Sequence, residues 1–155
     1  MILINLREWL CGVLGCDVPV SDITPPNYLE EIGFSEVDTI LKAEFPDATI
    51  LLSDNKYNTT TKEELQRFLK NDITDKWQYV SEYMDCDDYS WSVLGRISNP
   101  DWGCLPFGYV WTNTSTGSHA VNIFIDNNRE VWIIESQTDA VFKCPNDWKP
   151  YLISM

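Results

Sequence analysis

The spacing of apolar residues changes from helical to strand-like late in this chain, and this change limits the folds open to it. Up to residue 97, apolar side chains recur every three or four positions in several short segments. The segments 107–113, 119–125 and 129–135 are instead rich in strand-forming residues. Helices followed by neighbouring strands predict an α+β fold, with N-terminal helices and a later helix packed on a small antiparallel sheet.

A length of 155 residues suits one domain, 1–155. Helices are predicted at 2–13, from Ser35 to about residue 45, after a capping box at Thr60 or Thr61, and at 86–97. Residues 1–60 are predicted to form a helical extension without an assigned role. The residues that carry chemistry lie at about 80–140.

The charge balance excludes two classes of partner. The chain has 24 Asp and Glu residues against 11 Lys and Arg, which gives a formal net charge of −13. Nucleic acids and anionic membranes both attract cationic surfaces, so neither is an expected partner. No apolar stretch has the ~20 residues needed to span a bilayer.

Cysteine usage and the N-terminus favour a cytoplasmic location. Five cysteines leave at least one thiol unpaired, as suits a reducing compartment. No Cys-x-x-Cys pair occurs and His119 is the sole histidine, which argues against a structural zinc site of the usual kind. The apolar start lacks the basic residues of a signal peptide. Val13 to Cys16 still resembles a lipoprotein cleavage box, so that alternative stays open.

The two last predicted strands form a hairpin around Asp126-Asn127-Asn128. A three-residue loop would pair Ile125 with residue 129 and would place His119 opposite Glu135. Directly opposed residues in a sheet have Cβ atoms about 5 Å apart, which allows a carboxylate to bond an imidazole.

Cys86 lies at the start of a predicted helix, where backbone N–H groups stabilise a thiolate. His119 is the available base, and Glu135 is the acid that would orient it. Three neighbouring aspartates, at positions 85, 87 and 88, oppose ionisation of the thiol unless they cap the helix or bind a cation.

The three motifs around these residues, in the order Cys, His, acid, resemble the papain-like cysteine peptidases. They are Asp85–Tyr89, Ser118–Asn122 and Ile134–Thr138. The order is similar to that of the peptidase domains at the C-terminus of mushroom agglutinins and of bacterial transglutaminase-like cysteine peptidases. The resemblance implies a papain-like fold, a Cys86–His119–Glu135 triad and cleavage of a peptide or amide bond in a peptide or protein substrate. It also implies a phage or other viral source, which would place the protein in a host cytoplasm.

The same resemblance suggests further site residues. Gln78 is the candidate oxyanion donor, although it lies eight residues before Cys86. No cofactor is required, but calcium activates agglutinin-type domains, and Asp87 and Asp88 are the candidate ligands.

Two other functions remain open from the sequence. One is a catalytically silent acidic binding protein on the same fold, such as a viral accessory factor, whose charge would also allow it to mimic nucleic acid toward a basic partner. The other is an acyltransferase or transglutaminase-like enzyme with the same triad. Selective labelling of Cys86 at pH 6 that depends on His119 would indicate an enzyme, whereas equally slow labelling of all cysteines would indicate the silent protein.

Overall fold

The structure is a computed structural model that describes residues 24–155. The helix predicted at 2–13 and the motif from Val13 to Cys16 lie outside the described residues. The described helices are α1 (Phe34–Glu44), α2 (Lys62–Asn71), a short 3-10 helix (Thr74–Lys76) and α3 (Cys86–Ile97). The bounds predicted for the helix at 86–97 are confirmed.

Eight strands lie within the described residues. They are β1 (Glu30–Gly33), β2 (Thr49–Leu51), β3 (Lys56–Thr59), β4 (Phe107–Thr114), β5 (Gly117–Ile125), β6 (Val131–Glu135), β7 (Ala140–Phe142) and β8 (Lys149–Ser154). The strands β1 and β3 form a separate two-stranded sheet, and the other six form the main sheet in the order β2-β8-β4-β5-β6-β7. The pair β2–β8 is parallel, and the other pairs in this sheet are antiparallel.

The predicted fold class is wrong. The expected α+β, papain-like arrangement had helices on a small antiparallel sheet. The described residues instead form a six-stranded mixed sheet, a separate two-stranded sheet and three short α-helices. The sequence did not reveal β8, in which Pro150 interrupts the strand signal. It also could not show that β8 pairs with β2, because that contact joins distant parts of the chain.

Two clusters of buried side chains lie on opposite faces of the main sheet. On one face, Val37 and Leu41 of α1 pack with Val121 and Ile123 of β5. On the other face, Phe124 of β5 packs with α2 and α3. Alternation along a strand explains this division, since neighbouring residues point to opposite faces. The sheet is therefore covered on both sides near β5.

Local side-chain contacts set the start of α2 and α3. Thr61 accepts a hydrogen bond from the Glu64 N–H at 3.2 Å, as the second of the two predicted capping boxes requires. At α3, the side chain of Asp85 accepts from the backbone of Asp88, and the Asp88 carboxylate accepts from the Asp85 N–H. Capping therefore fixes Cys86 as the first residue of α3.

The predicted register of the β5–β6 hairpin is wrong by two residues. Ile125 pairs with Val131 and Ile123 with Ile133, so the loop has five residues, 126–130, instead of three. The buried carboxylate of Asp126 explains the longer loop, because it accepts from the N–H groups of Asn128 and Glu130 at 2.8 and 3.0 Å. The shift keeps every side chain on its predicted face, since it equals the period of a strand.

Gly108 allows β4 and β8 to lie close together. A Cβ atom built on Gly108 would lie 2.3 Å from the backbone oxygen of Ser154. Any larger residue would push β8 away from β4.

Asn122 joins α3 to three parts of the sheet. Its side-chain amide donates to the backbone oxygens of Ser90 in α3 and Gly108 in β4, at 3.1 and 3.0 Å. Its oxygen accepts from the Ser136 hydroxyl at 2.5 Å. Asn122 is fully buried, so water cannot reach its polar atoms. These hydrogen bonds replace the ones that the amide would form with water in the unfolded chain.

We expect Asn122→Ala to lower the free energy of unfolding by about 2 kcal/mol or more, because it leaves buried polar groups without partners. Urea unfolding followed by circular dichroism measures the change. Asn113→Ala is the control, because Asn113 lies exposed on β4 and accepts only from the Ser118 hydroxyl among described side chains. Equal effects of the two substitutions would contradict a structural role for the Asn122 network.

Because of Asp139, the free energy of unfolding depends on pH. Burial, followed by the charges of Asp75 and Asp72, raises the pKa of Asp139 to about 7. The ordinary pKa of an aspartate is about 3.9. Between these values the folded chain holds a proton that the unfolded chain releases, so stability falls as the pH rises towards 7.

We expect Asp139→Asn to remove the fall in stability that occurs as the pH rises towards 7. At pH 8 the variant should be more stable than the parent by about 1 kcal/mol, a figure reduced for solvent screening because Asp139 is half-buried. At pH 4 the two should be equally stable. Asparagine tolerates the positive φ of 58° at this position. Thermal unfolding at both pH values tests this, with exposed Asp47→Asn as control, and a variant that is less stable at pH 8 would refute it.

Within residues 24–155, no helix is both long and apolar enough to span a lipid bilayer.

Candidate functional site

His119, near the start of β5, and Glu135, at the end of β6, are joined by a hydrogen bond. His119 Nε2 lies 2.7 Å from Glu135 Oε2, and both side chains are about four-fifths buried, with 22% and 20% exposed. The other carboxylate oxygen, Oε1, accepts from the Gln137 N–H at 3.3 Å. With the observed register continued, Glu135 lies diagonally across from His119, a separation that these longer side chains can bridge.

Trp148 packs against the imidazole of His119. The two ring centroids are 5.6 Å apart and the rings are nearly perpendicular, at 89°. Trp148 makes a second edge-to-face contact with Phe142 of β7, at 5.8 Å. These contacts, together with Glu135, limit the movement of the imidazole ring. From the sequence, Trp148 was expected to be a core or rim residue and not part of a sugar-binding surface, and the strand β8 that follows it was not predicted.

Cys86 lies at the first turn of α3, half-buried. Its sulfur lies beside the backbone N–H of Ala120, the residue after His119. Burial raises the pKa of the Cys86 thiol, and the charges of Asp85 and Asp87 add to this effect, while the Ala120 N–H opposes it. Among the described residues, no hydrogen bond joins the thiol to the His119 ring. Burial and the flanking aspartates therefore disfavour the thiolate form of Cys86.

Among the described residues, the other predicted site residues form no hydrogen bond with the imidazole, which bonds Glu135. Gln78 is exposed in the loop before α3. Asp88 caps α3 with its carboxylate, and Asp87 lies beside Asp85 in the same turn. The catalytic roles of Cys86, His119 and Glu135, the oxyanion role of Gln78 and the calcium role of Asp87 and Asp88 stay predictions.

A pocket of about 300 Å³ opens beside His119. Its wall consists mainly of the turn between β4 and β5, with His119 and Trp148 at one side. We call it the hydroxyl pocket, and it is lined by Thr114, Ser115, Thr116, Ser118, His119 and Trp148. Trp148 also lines the adjacent pocket, of about 290 Å³, that contains Tyr151.

Three of the hydroxyl groups that line this pocket, those of Thr114, Thr116 and Ser118, already form hydrogen bonds within the protein. Thr114 donates to the Gly117 oxygen at 2.9 Å, and Ser118 donates to the Asn113 side-chain oxygen at 3.2 Å. Thr116 bonds the Thr114 hydroxyl at 3.1 Å. A hydroxyl that donates its hydrogen in one bond can still accept another hydrogen bond through its oxygen lone pairs. The pocket therefore presents acceptors, which suit a ligand that donates hydrogen bonds. The run Thr-Ser-Thr-Gly was the available signal in the sequence.

Two solved structures of lectins are similar to this chain. One is named a PSL1a–E64 complex and matches with a TM-score of 0.72 and 23% identity over 81% of this chain and 51% of that chain. The other is Polyporus squamosus lectin bound to the human-type influenza-binding epitope Neu5Acα2-6Galβ1-4GlcNAc, with a TM-score of 0.70 and 23% identity over 81% of this chain and 49% of that chain. This chain spans about half the length of each.

No protein-family model and no curated protein matches this sequence. At 23% identity, the likeness to the lectins shows a shared fold.

These neighbours overturn the predicted identity. The chain was expected to be a papain-like cysteine peptidase or amidase acting on a peptide or protein substrate, and its structural neighbours are named as lectins. The assignment as a hydrolase and thiol protease, and the expected peptide substrate, are therefore corrected. The physical chemistry of Cys86 agrees with this correction, because burial and two aspartates disfavour the thiolate that a nucleophile needs.

We expect Cys86 to react with iodoacetamide at pH 7 no faster than free cysteine does, and to react faster as the pH rises above about 8.5. Asp87→Asn should speed the reaction, since it removes a nearby negative charge. Peptide mapping by mass spectrometry gives the rate at each cysteine. Rapid labelling of Cys86 at pH 6 that is lost in His119→Ala would show that the thiol is activated after all.

Proposed function

We propose that this chain is a carbohydrate-binding protein that works without catalytic turnover, and that the hydroxyl pocket is its ligand site. This develops the silent binding protein that the sequence left open as an alternative. The observation that carries the proposal is the combination of hydrogen-bond acceptors with an aromatic ring beside the pocket. Supporting it, two proteins of similar fold are named as lectins, one of them bound to a glycan.

The chemistry of the pocket matches a sugar in two ways. Sugar hydroxyls donate hydrogen bonds, which the Thr116 and Ser118 oxygens can accept. The apolar C–H face of a sugar ring packs on an aromatic surface, and Trp148 is only half-buried. Small-molecule sites commonly combine an apolar wall with a few well-placed polar groups.

The electrostatics favour a neutral sugar over an acidic one. The formal net charge of the chain is −13, which repels carboxylated, sulfated or phosphorylated sugars. An ionised acid group also cannot donate to the acceptors of the pocket. Galβ1-4GlcNAc, the neutral part of the glycan named with the second lectin, is therefore the probe of choice.

His119 and Glu135 have a positioning role in this proposal. Glu135 holds the imidazole against Trp148, and both rings border the pocket. Cys86 lies outside the pocket lining. We also propose a cytoplasmic location, since the three cysteines among the described residues are all free thiols.

We expect Trp148→Ala to weaken the binding of Galβ1-4GlcNAc at least about tenfold, because it removes the surface on which the sugar packs. Trp148→Phe should retain part of the affinity, since a smaller ring remains. Isothermal titration calorimetry measures both. Trp91→Ala is the matched control, because Trp91 is 53% exposed on α3 and stacks on Tyr109, away from the pocket.

Two results would overturn the proposal. One is the absence of binding by Galβ1-4GlcNAc and related neutral glycans to a folded chain. The other is hydrolysis of a peptide by the purified chain that is lost in Cys86→Ala.

A further inference from the structure

A second pocket lies beside the hydroxyl pocket and shares Trp148 with it. Its volume is about 290 Å³, close to the 300 Å³ of the hydroxyl pocket. Small-molecule sites commonly have about 300–1,000 Å³, so each pocket alone lies at the lower end of this range. We call the second one the carboxylate pocket. Its polar lining includes Glu44, Asp47, Asn113 and Lys149, and its aromatic lining includes Trp148 and Tyr151.

The carboxylate pocket lies where α1 stops covering the main sheet. The helix ends at Glu44, and the next residue, Phe45, is buried in the cluster beneath it. Pro46 follows and cannot continue the helix, because it has no N–H to donate. The lining of the pocket therefore combines the end of α1 and the turn after it with residues of β4 and β8.

A β-bulge in β8 places Tyr151 at this pocket. Two consecutive residues of β4 pair with Leu152 and Pro150, which leaves Tyr151 between them without a partner on β4. Bulges often redirect a side chain beside an active site. Tyr151 is 41% exposed and lines the carboxylate pocket. Its ring is therefore available as a second surface on which a sugar can pack.

Glu44 and Asp47 present carboxylates to this pocket. Both residues are exposed, and among residues 24–155 neither forms an ion pair with a lysine, an arginine or the histidine. A hydrogen bond to a carboxylate is roughly twice as strong as one between neutral groups. Lys149 and the side-chain amide of Asn113 add donors. The pocket can therefore bond the hydroxyls of a sugar and also the acetamide group of an N-acetylated one.

Trp148 connects the two pockets, because it lines both. Its edge-to-face contacts with His119 and Phe142 hold the ring in place. Tyr151 follows Trp148 by three positions, so their Cα atoms are at most about 10 Å apart. A short oligosaccharide can bridge this distance. A ligand that leaves the hydroxyl pocket across Trp148 therefore reaches the carboxylate pocket.

We propose that the carboxylate pocket is a second sugar subsite, and that this chain binds a neutral oligosaccharide that runs from the hydroxyl pocket across Trp148 onto Tyr151. This inference rests on the proposed carbohydrate site and specifies the length of its ligand. Hydroxyls of the glycan donate to Glu44 and Asp47, and an acetamide oxygen accepts from Lys149. Because the second part of the ligand is covalently linked to the first, its binding costs little additional translational freedom.

The tetrasaccharide made of two Galβ1-4GlcNAc units tests the second subsite by comparison with the disaccharide. Isothermal titration calorimetry of the full chain gives both affinities and the number of chains bound per glycan. Two copies of the disaccharide in one ligand raise the affinity only about twofold by statistics. We expect the tetrasaccharide to bind at least about tenfold more tightly than the disaccharide, with one chain per glycan.

Two variants locate this gain in affinity. Tyr151→Ala should reduce the ratio of the two affinities to about twofold, because it removes the second aromatic surface. Asp47→Ala should reduce the ratio about threefold or more, since it removes a charged acceptor, and Asp47 lies in an exposed turn where the change leaves the fold intact. Circular dichroism confirms that each variant is folded.

Phe34→Ala is the matched control and should leave the ratio unchanged. Phe34 is 42% exposed, almost the same as Tyr151. It begins α1, so it lies about 15 Å along the helix from Glu44 at the other end.

Three results would overturn the second subsite and leave the proposed carbohydrate site standing. They are a ratio of about two in the parent chain, a larger ratio that neither Tyr151→Ala nor Asp47→Ala lowers, and two chains bound to each tetrasaccharide. If neither glycan binds to the folded chain, the proposed function fails and the second subsite fails with it.

Discussion

The placement of α3 on the main sheet depends on the buried side chain of Asn122. Its amide bonds Ser90 in the middle of α3 and Gly108 in β4, and its oxygen bonds Ser136 just after β6. An aliphatic side chain in the same space would pack, but it would leave three polar groups without partners. Because Asn122 helps to fix α3, it also helps to fix the first turn of that helix, where the thiol of Cys86 lies beside Ala120 near the start of β5.

The first turn of α3 shows that a cysteine at a helix start need not have the reactivity that this motif indicates. A cysteine at a helix start is exposed to the favourable end of the helix dipole, which alone would lower its pKa. Here burial and two flanking aspartates act in the other direction and are the larger influence. Asp85, which caps the start of α3, and Asp87 therefore oppose the thiolate that a nucleophile at this position would need.

Much of the local structure could be predicted from the sequence, because it depends on neighbouring residues. The bounds of α3 follow from the capping pair Asp85 and Asp88, and the faces of β5 follow from strict alternation. The loop of the β5–β6 hairpin was predicted too short, because turn-forming residues indicate a loop but not that the Asp126 carboxylate would bind the N–H groups of Asn128 and Glu130. The strand β8 and the position of Trp148 depend on contacts with distant parts of the chain. The contact between His119 and Glu135 was expected from a register that proved wrong, and long side chains still bring the two together.

A crystal structure of this protein soaked with Galβ1-4GlcNAc would show directly whether the hydroxyl pocket binds a sugar. We expect a sugar ring packed on Trp148, with its hydroxyls donating to Thr116 and Ser118 in the pocket beside His119. A hydroxyl pocket that holds only water at a saturating concentration of the glycan, or a glycan seated elsewhere on the surface, would contradict it.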